Sequence, residues 1–584
     1  MFNCFSSVQH IAQRRHVNVL AGALFASSLV ACGGSPSGGD GAVDAARDAT
    51  VDSGTLPDAA IEDAAVDSGT VPADFHLPAG HFHPAIVEPV VVYPRPDSET
   101  NDYARHRWAY PGIEYRIPGA VVQGGAWPFY YELIDGPPGA TIGAQLVMRG
   151  EVRVAPDDYG VIRWTPRSED EGATFDFHVR VTDQEDSVVD ALWTVTVDSS
   201  HFIFVSETGD DSNPGTIDRP FATTAGWYHG DVNDTTYAGK LVYYRGGNYQ
   251  PVGAASRKEN LPIEAGKKPM SFMAYPGENV VFDATRANWT FWARCDDVFF
   301  SGIHFDGSKL VQPDGTPIRN SRNIAFYGER NEHRITFFEN RVSNIQPGNP
   351  ADDRFGNDNP AFVWRPSTHA VRGSNWVFVN NVFDGSGPFR GNGPSAVSLS
   401  CVSYIVYEGN IVRNWEGTGT FYDKSNADHV TERNNDLWAA TSGGAALGHA
   451  MGAGMSDSYD PSHNPGYFEV CWNRIRVDRT RLPSGVTVGM AIQVGLGSTP
   501  GDGPAAVYRN SIYGSVWFNR VANYEGIAEG NVIQGELRQD APAIVGAGDN
   551  FYTDDLTETV FDADGALTGA VRASYLGTHG AEVQ

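Results

Sequence analysis

Lysine is nearly missing from this chain: of 42 basic side chains in 584 residues, 6 are Lys and 36 are Arg. Acidic residues number 71, giving a net charge of −29, and only 19% of residues are charged. A protein without a basic footprint is not built to hold nucleic acid. Cysteine is scarce, with 5 residues, and no two have zinc-site spacing, which excludes a structural zinc module. No apolar run after the amino terminus is long enough to span a bilayer. Phosphate-binding loops, zinc-helix motifs and serine nucleophile elbows are absent too. What the chain does have is 65 Gly, 35 Pro and 54 Phe and Tyr residues. That mixture suits many turns and short strands around a real core, not a disordered chain.

The first 32 residues read as an export signal: Arg14 and Arg15 precede an apolar run from Val17 to Val30. The run ends in Leu29-Val30-Ala31-Cys32, followed by Gly33-Gly34, and resembles the lipobox of bacterial lipoproteins. The resemblance implies a lipid on Cys32, tethering an exported protein to the outer surface of the cell envelope. Residues 33–74 contain no aromatic residue, nine acidic side chains and one basic one, and repeat VDSGT. Such a stretch cannot fold and should be an extended acidic tether.

Residues 75–199 are expected to be a β-sandwich, since FDFHVRVTD and LWTVTV alternate apolar and polar positions. YYELIDGPPGATI, GVIRWTP and FHVRVTD resemble the immunoglobulin-like or cadherin-like modules of bacterial surface proteins, which usually act as spacers. From residue 200 the pattern changes. Asn followed two residues later by Val, Ile or Leu recurs at Asn340, Asn380, Asn410, Asn435, Asn473, Asn510 and Asn531. The shortest of these spacings matches one coil of a solenoid, and the longer ones imply insertions. Each coil would bury its apolar face only by stacking on the next, with an Asn in a left-handed turn bonding its neighbour. FVSETGDDSNPGTIDRPFATT and AYPGENVVFDA resemble right-handed parallel β-helix proteins of the pectate-lyase-like superfamily. The fold expected is therefore all-β: a right-handed parallel β-helix over residues 200–545, a sandwich before it and a carboxy-terminal cap at 546–584.

Lys424 is the only Lys after Lys309. It lies in GTFYDKSNADHVTERNN, which resembles the catalytic coil of the chondroitinase-B and alginate-lyase family. In that family a Lys-Ser pair, here Lys424-Ser425, ends a strand before an Arg-Asn-Asn turn, here Arg433-Asn434-Asn435. The resemblance implies that Lys424 removes the proton beside a uronate carboxylate while calcium neutralises that carboxylate. Tyr422 and His449 are the expected aids to proton transfer. Arg433, Arg390 and Arg365 are the expected carboxylate binders, because a guanidinium grips carboxylates bidentately. Three departures stand out: Asp423 replaces an apolar residue, Gly417 and Gly419 replace acidic calcium ligands, leaving Glu416, and Gly448 replaces an Arg. The expectation is a monomeric, surface-tethered polysaccharide lyase acting on acidic polysaccharide. A glycoside hydrolase in the same groove and a non-catalytic glycan-binding protein stay open. A hydrolase would need carboxylates converging from adjacent coils. Insertions such as Gly348–Asn359 would wall the groove.

Overall fold

Short alternating segments cannot hide their apolar faces singly, and they do so here by stacking. The computed structural model describes residues between 71 and 552, and His579. The longer stretches outside the described residues are 1–70, 96–103, 250–260, 307–323, 344–360, 366–372, 385–394, 441–448, 454–466, 479–489, 495–503, 519–525 and 553–578. The signal, Cys32 and the tether fall there, as do Arg390 and the Gly348–Asn359 insertion. Among the described residues no helix is long and apolar enough to cross a membrane.

Three long sheets form the larger part. Sheet 1 has 11 strands from Phe202–Val205 to Gly526–Glu529, and sheet 2 has 11 from Gly247–Tyr249 to Phe551–Tyr552. Sheet 3 has 10, from Leu261–Glu264 to Leu537–Gln539. The chain visits the sheets in turn, and each strand pairs in parallel with its counterpart in the next coil. This is a parallel β-helix. Its interior is lined by register rows of apolar side chains, and in sheet 1 one such row reads Phe272, Phe300, Phe337, Phe378, Tyr407. Their rings stack at 4.9 to 5.2 Å between centroids, so each of these five coils adds both buried area and ring contact.

The recurrent Asn residues form a ladder. The backbone N–H and Nδ2 of Asn340 both donate to Oδ1 of Asn381. The same double bond continues through Asn410, Asn435, Asn473, Asn510, Asn531 and Asn550. Two details differ from the sequence reading. In the second coil the ladder residue is Asn381, not Asn380. The left-handed residue is also the one before each ladder Asn: Glu339, Asn380, Gly409, Asn434, Trp472, Arg509 and Gly530 all have φ between 55° and 69°. A bulky side chain in that region costs energy, which the buried amide ladder offsets by satisfying each turn's backbone.

The amino-terminal part has two antiparallel layers. Trp108–Ala109, Val188–Val197, Thr174–Thr182 and Tyr130–Asp135 form a four-stranded sheet, with Trp108–Ala109 joined in parallel. Tyr115–Pro118, Val161–Trp164 and Thr141–Ile142 form a three-stranded one. Tyr115, Trp164, Phe177 and Trp193 pack between them. This part is no free spacer: it lies along the outer face of sheet 1. Arg116 pairs with Glu339, Trp127 packs on Trp472, and His83 stacks on Tyr508 and meets Glu529 at 2.7 Å. Apolar side chains from Phe202 to Tyr508 on that face share one core with it. Cys401 and Cys471 are buried, and burial pushes the Cys471 thiol up.

Candidate active site

With sheet 1 covered, chemistry has to sit on sheets 2 and 3 or at their corners. Sheet 2 offers a face whose side chains are described. Strands Ile303–Asp306, Arg341–Ser343 and Val382–Asp384 follow one another in register, with Asp306, Ser343 and Asp384 in one row. Phe305, Val342 and Phe383 are the inward neighbours, each at most 2% exposed, so alternation turns Asp306, Ser343 and Asp384 outward. Adjacent strands lie about 4.8 Å apart, which puts the Asp306 and Asp384 backbones about 10 Å apart with Ser343 between them. Asp283 holds the preceding position of the row.

His304 and Arg341 flank the row. His304 Nε2 meets Ser343 Oγ at 2.6 Å, and Ser343 Oγ lies 3.5 Å from Asp306 Oδ1. Partial burial, then the Arg341 charge, lowers the His304 pKa; with its hydroxyl hydrogen given to Asp306, Ser343 Oγ can accept from the His304 Nε2–H. Arg341 Nη2 stands 4.0 Å from Asp384 Oδ2. Residues 307–323, 344–360 and 385–394, which follow these three strands in the sequence, lie outside the described residues. Further along the same face, Arg413 and Arg474 share Asp436 at 3.6 and 3.0 Å.

No known family model matches the chain, and no curated protein matches it. Among solved structures a rhamnogalacturonan lyase is similar, at 14% identity and a TM-score of 0.33, covering 65% of this chain and 99% of that one.

The residues singled out from sequence do not converge. Tyr422 and Lys424 belong to Gly419–Lys424 in sheet 3, paired with Ser398 and Ser400. Between them Asp423 turns inward and is fully buried, so both positions have outward parity; their side chains lie outside the described residues. Ser398 and Ser400 beside them are buried. His449 pairs with Gly419 at the opposite end of that strand. Five residues separate Gly419 from Lys424, about 16 Å of strand. His449 also shares the inward parity of Met451, which pairs with buried Phe421. It is not placed to assist Lys424.

Arg433 is the clearest correction. It ends Asp428–Arg433 in sheet 1, 1% exposed under the sandwich. It donates to Glu408 at 2.9 Å and to the Val122 carbonyl, with the Phe129 ring 4.6 Å away. It joins two parts of the protein and cannot receive a substrate. Arg365 pairs with inward-facing Leu399, and Glu416 pairs with Ala440 in sheet 2; the side chains of both lie outside the described residues. Among the described residues no three acidic, His or Cys side chains gather as metal ligands. Calcium thus rests on the family resemblance alone, and no step is routed through it.

The coil of Lys424 has an unusual interior. Glu432 continues the aromatic row after Tyr407, and Tyr407 Oη donates to Asp423 Oδ1 at 2.9 Å. Glu432 is fully buried, and neither of its carboxyl oxygens has a partner. Burial pushes the Asp423 pKa up to about 8 and that of Glu432 well above its usual value, Asp423 adding to the latter. Both acids are therefore mainly protonated at neutral pH.

Sequence reasoning missed Asp306, Ser343, Asp384 and His304. A signal existed: in each coil the row residue stands three places after the ladder position, as in Asn340 to Ser343 and Asn381 to Asp384.

Proposed function

We propose that the protein is a polysaccharide-cleaving enzyme that hydrolyses an acidic polysaccharide on the outer face of sheet 2. The observation that carries this is the placement of Asp306 and Asp384 two coils apart on one rigid outward row. Inverting glycosidases hold their two carboxyl groups about 6.5–9.5 Å apart, leaving room for a water on the far side of the sugar. Side chains leaning toward each other from backbones about 10 Å apart span that range. Asp384, beside the Arg341 cation, suits the base that activates water. Asp306 suits the acid that protonates the leaving oxygen, and Ser343 with His304 would orient the sugar between them. Strands fix all four positions better than loops would.

A second reading keeps the uronate lyase, with Lys424 as base and Tyr422 beside it, favoured by their shared outward parity. Incubation with a panel of uronate polymers separates the two when reducing ends and unsaturated-product absorbance are followed independently. Hydrolysis gives reducing ends without absorbance, falls at least a hundredfold in Asp384→Asn, and survives Lys424→Ala. New absorbance that Lys424→Ala abolishes would sink the hydrolytic pair. Binding of polymer with no cleavage by the wild type would leave a glycan-binding surface protein.

A further inference from the structure

Around the corner from this row, where sheet 1 turns into sheet 2, a cleft of about 330 Å³ lies between the sandwich and the early coils. Tyr243, Tyr275 and Ser301 come from the β-helix, Arg105 from the sandwich, and the Arg116–Glu339 pair closes it between the two. Its volume is within the range of small-ligand sites, and junctions between structural parts are where such sites concentrate.

The charges in the cleft are matched, with one exception. Arg116 is bidentate on Glu339 at 2.8 and 2.6 Å and also reaches Asp158 at 2.8 Å. Arg163 holds Glu114 at 2.7 Å, and Arg245 holds Glu278 at 2.6 Å. Among the described residues Arg105 has no carboxylate partner. It is 3% exposed; its Nη1 donates to the Trp108 carbonyl at 2.7 Å, the Tyr115 ring lies 4.7 Å away, and its Nε has no partner. A guanidinium buried to that degree without an anion retains much of its desolvation cost, and a bound carboxylate would relieve it through charge-assisted hydrogen bonds.

The cleft also lies where two strands of the proposed active row begin. Ser301 and Gly302 line it, and Ile303–Asp306 follows at once; Glu339 lines it, and Arg341–Ser343 follows. Four residues of strand, about 13 Å, separate Gly302 from Asp306, a span an oligosaccharide covers.

We infer that this junction cleft is a distal subsite for a carboxylated sugar, its carboxylate taken by Arg105 and its ring lying on the half-buried Tyr275. The inference rests on the polysaccharide reading for its ligand class but not on the identity of the catalytic pair. Binding of both parts of the protein by one ligand would also strengthen their junction.

The test is calorimetric titration of the full chain with a uronate hexasaccharide, and with a neutral hexasaccharide of matching linkage. Wild type is expected to bind the uronate at least tenfold more tightly than the neutral sugar, and less tightly as salt rises. Arg105→Gln, and independently Ser301→Glu, which places a negative charge on the half-buried floor, should each weaken uronate binding at least tenfold. Ser301→Glu leaves the buried guanidinium and its partners in place, so it keeps the test alive if Arg105→Gln does not fold. Asp384→Asn should keep the preference for the uronate over the neutral sugar while failing to cleave. Uronate binding unchanged in Ser301→Glu and in a folded Arg105→Gln would overturn the subsite, as would wild type showing no preference for the charged sugar. If Asp384→Asn still cleaves while Ser301→Glu loses binding, the catalytic pair is wrong and the subsite stands.

Discussion

Replacing Asp423 by Asn should make the protein more stable, and by an amount that grows with pH. Asp423 folds into the β-helix interior with one oxygen bonded to Tyr407 and the other without a partner. Its pKa is about 8 there against 3.8 for the free side chain. The folded state thus holds a proton that the unfolded chain releases. Stability from this group is complete below pH 3.8 and is lost as pH rises toward 8. At about 1.4 kcal/mol per pH unit, holding that proton costs about 2 kcal/mol at pH 5 and about 4 kcal/mol at pH 7. Asn keeps an acceptor for the Tyr407 hydroxyl and has no proton to bind, so its advantage over wild type should widen by about 3 kcal/mol from pH 5 to pH 7. Urea unfolding of both proteins at the two pH values measures that difference, and other carboxylates cancel in it. Glu432, also raised, steepens the slope in both proteins, and losing the Asp423 charge that adds to its shift works in the same direction as the Asn advantage. An advantage that stays constant across the two pH values would refute the claim that Asp423 is held protonated.

Asn435→Ala removes the acceptor of two Asn410 bonds and the donors to Tyr407 O and Asn473. Stranding a buried N–H should cost about 3 kcal/mol in urea unfolding, and a loss below about 1 kcal/mol would remove the ladder's structural role. Arg433→Met leaves Glu408 buried without its cation and should destabilise by about 3–5 kcal/mol. Adding Glu408→Gln should restore most of that, and KM for polymer should not change below the unfolding midpoint.

The β-helix was readable because its physics repeats. A buried amide that must bond its copy in the next coil leaves the same letter at each turn, and the following apolar residue marks the inward face. One register error, Asn380 for Asn381, arose because Asn380 is followed two places later by Val382, whereas the true ladder residue is followed by Phe383. The left-handed turn was placed one residue late for a related reason. Trp472 and Arg509 adopt φ values of 57° and 55°, which no residue preference would suggest and which the ladder imposes. The packing of the sandwich along sheet 1 left a weaker trace: apolar residues on both faces of strands such as FIFV and LVYY, where a solvated face would alternate.

The site was less legible because local likeness fixes neighbours along the chain, while a solenoid assembles chemistry across it. Lys424 and Arg433 are nine residues apart in sequence, yet the turn between their strands sends one to sheet 3 and the other to sheet 1. His449 follows Lys424 by one coil but enters its strand at the other end. By contrast Asp306 and Asp384 are 78 residues apart in sequence and two strands apart in space. Their relation is visible only after each coil is aligned on its ladder residue. Aligned that way, the third position after the ladder reads Asp306, Ser343, Asp384, Arg413, Trp438, Arg476, Tyr513. That row passes from acidic to basic and aromatic along one face. On the proposed reading an acidic polymer would meet carboxylates at one end and cations at the other, a polarity that would set the direction in which such a chain lies.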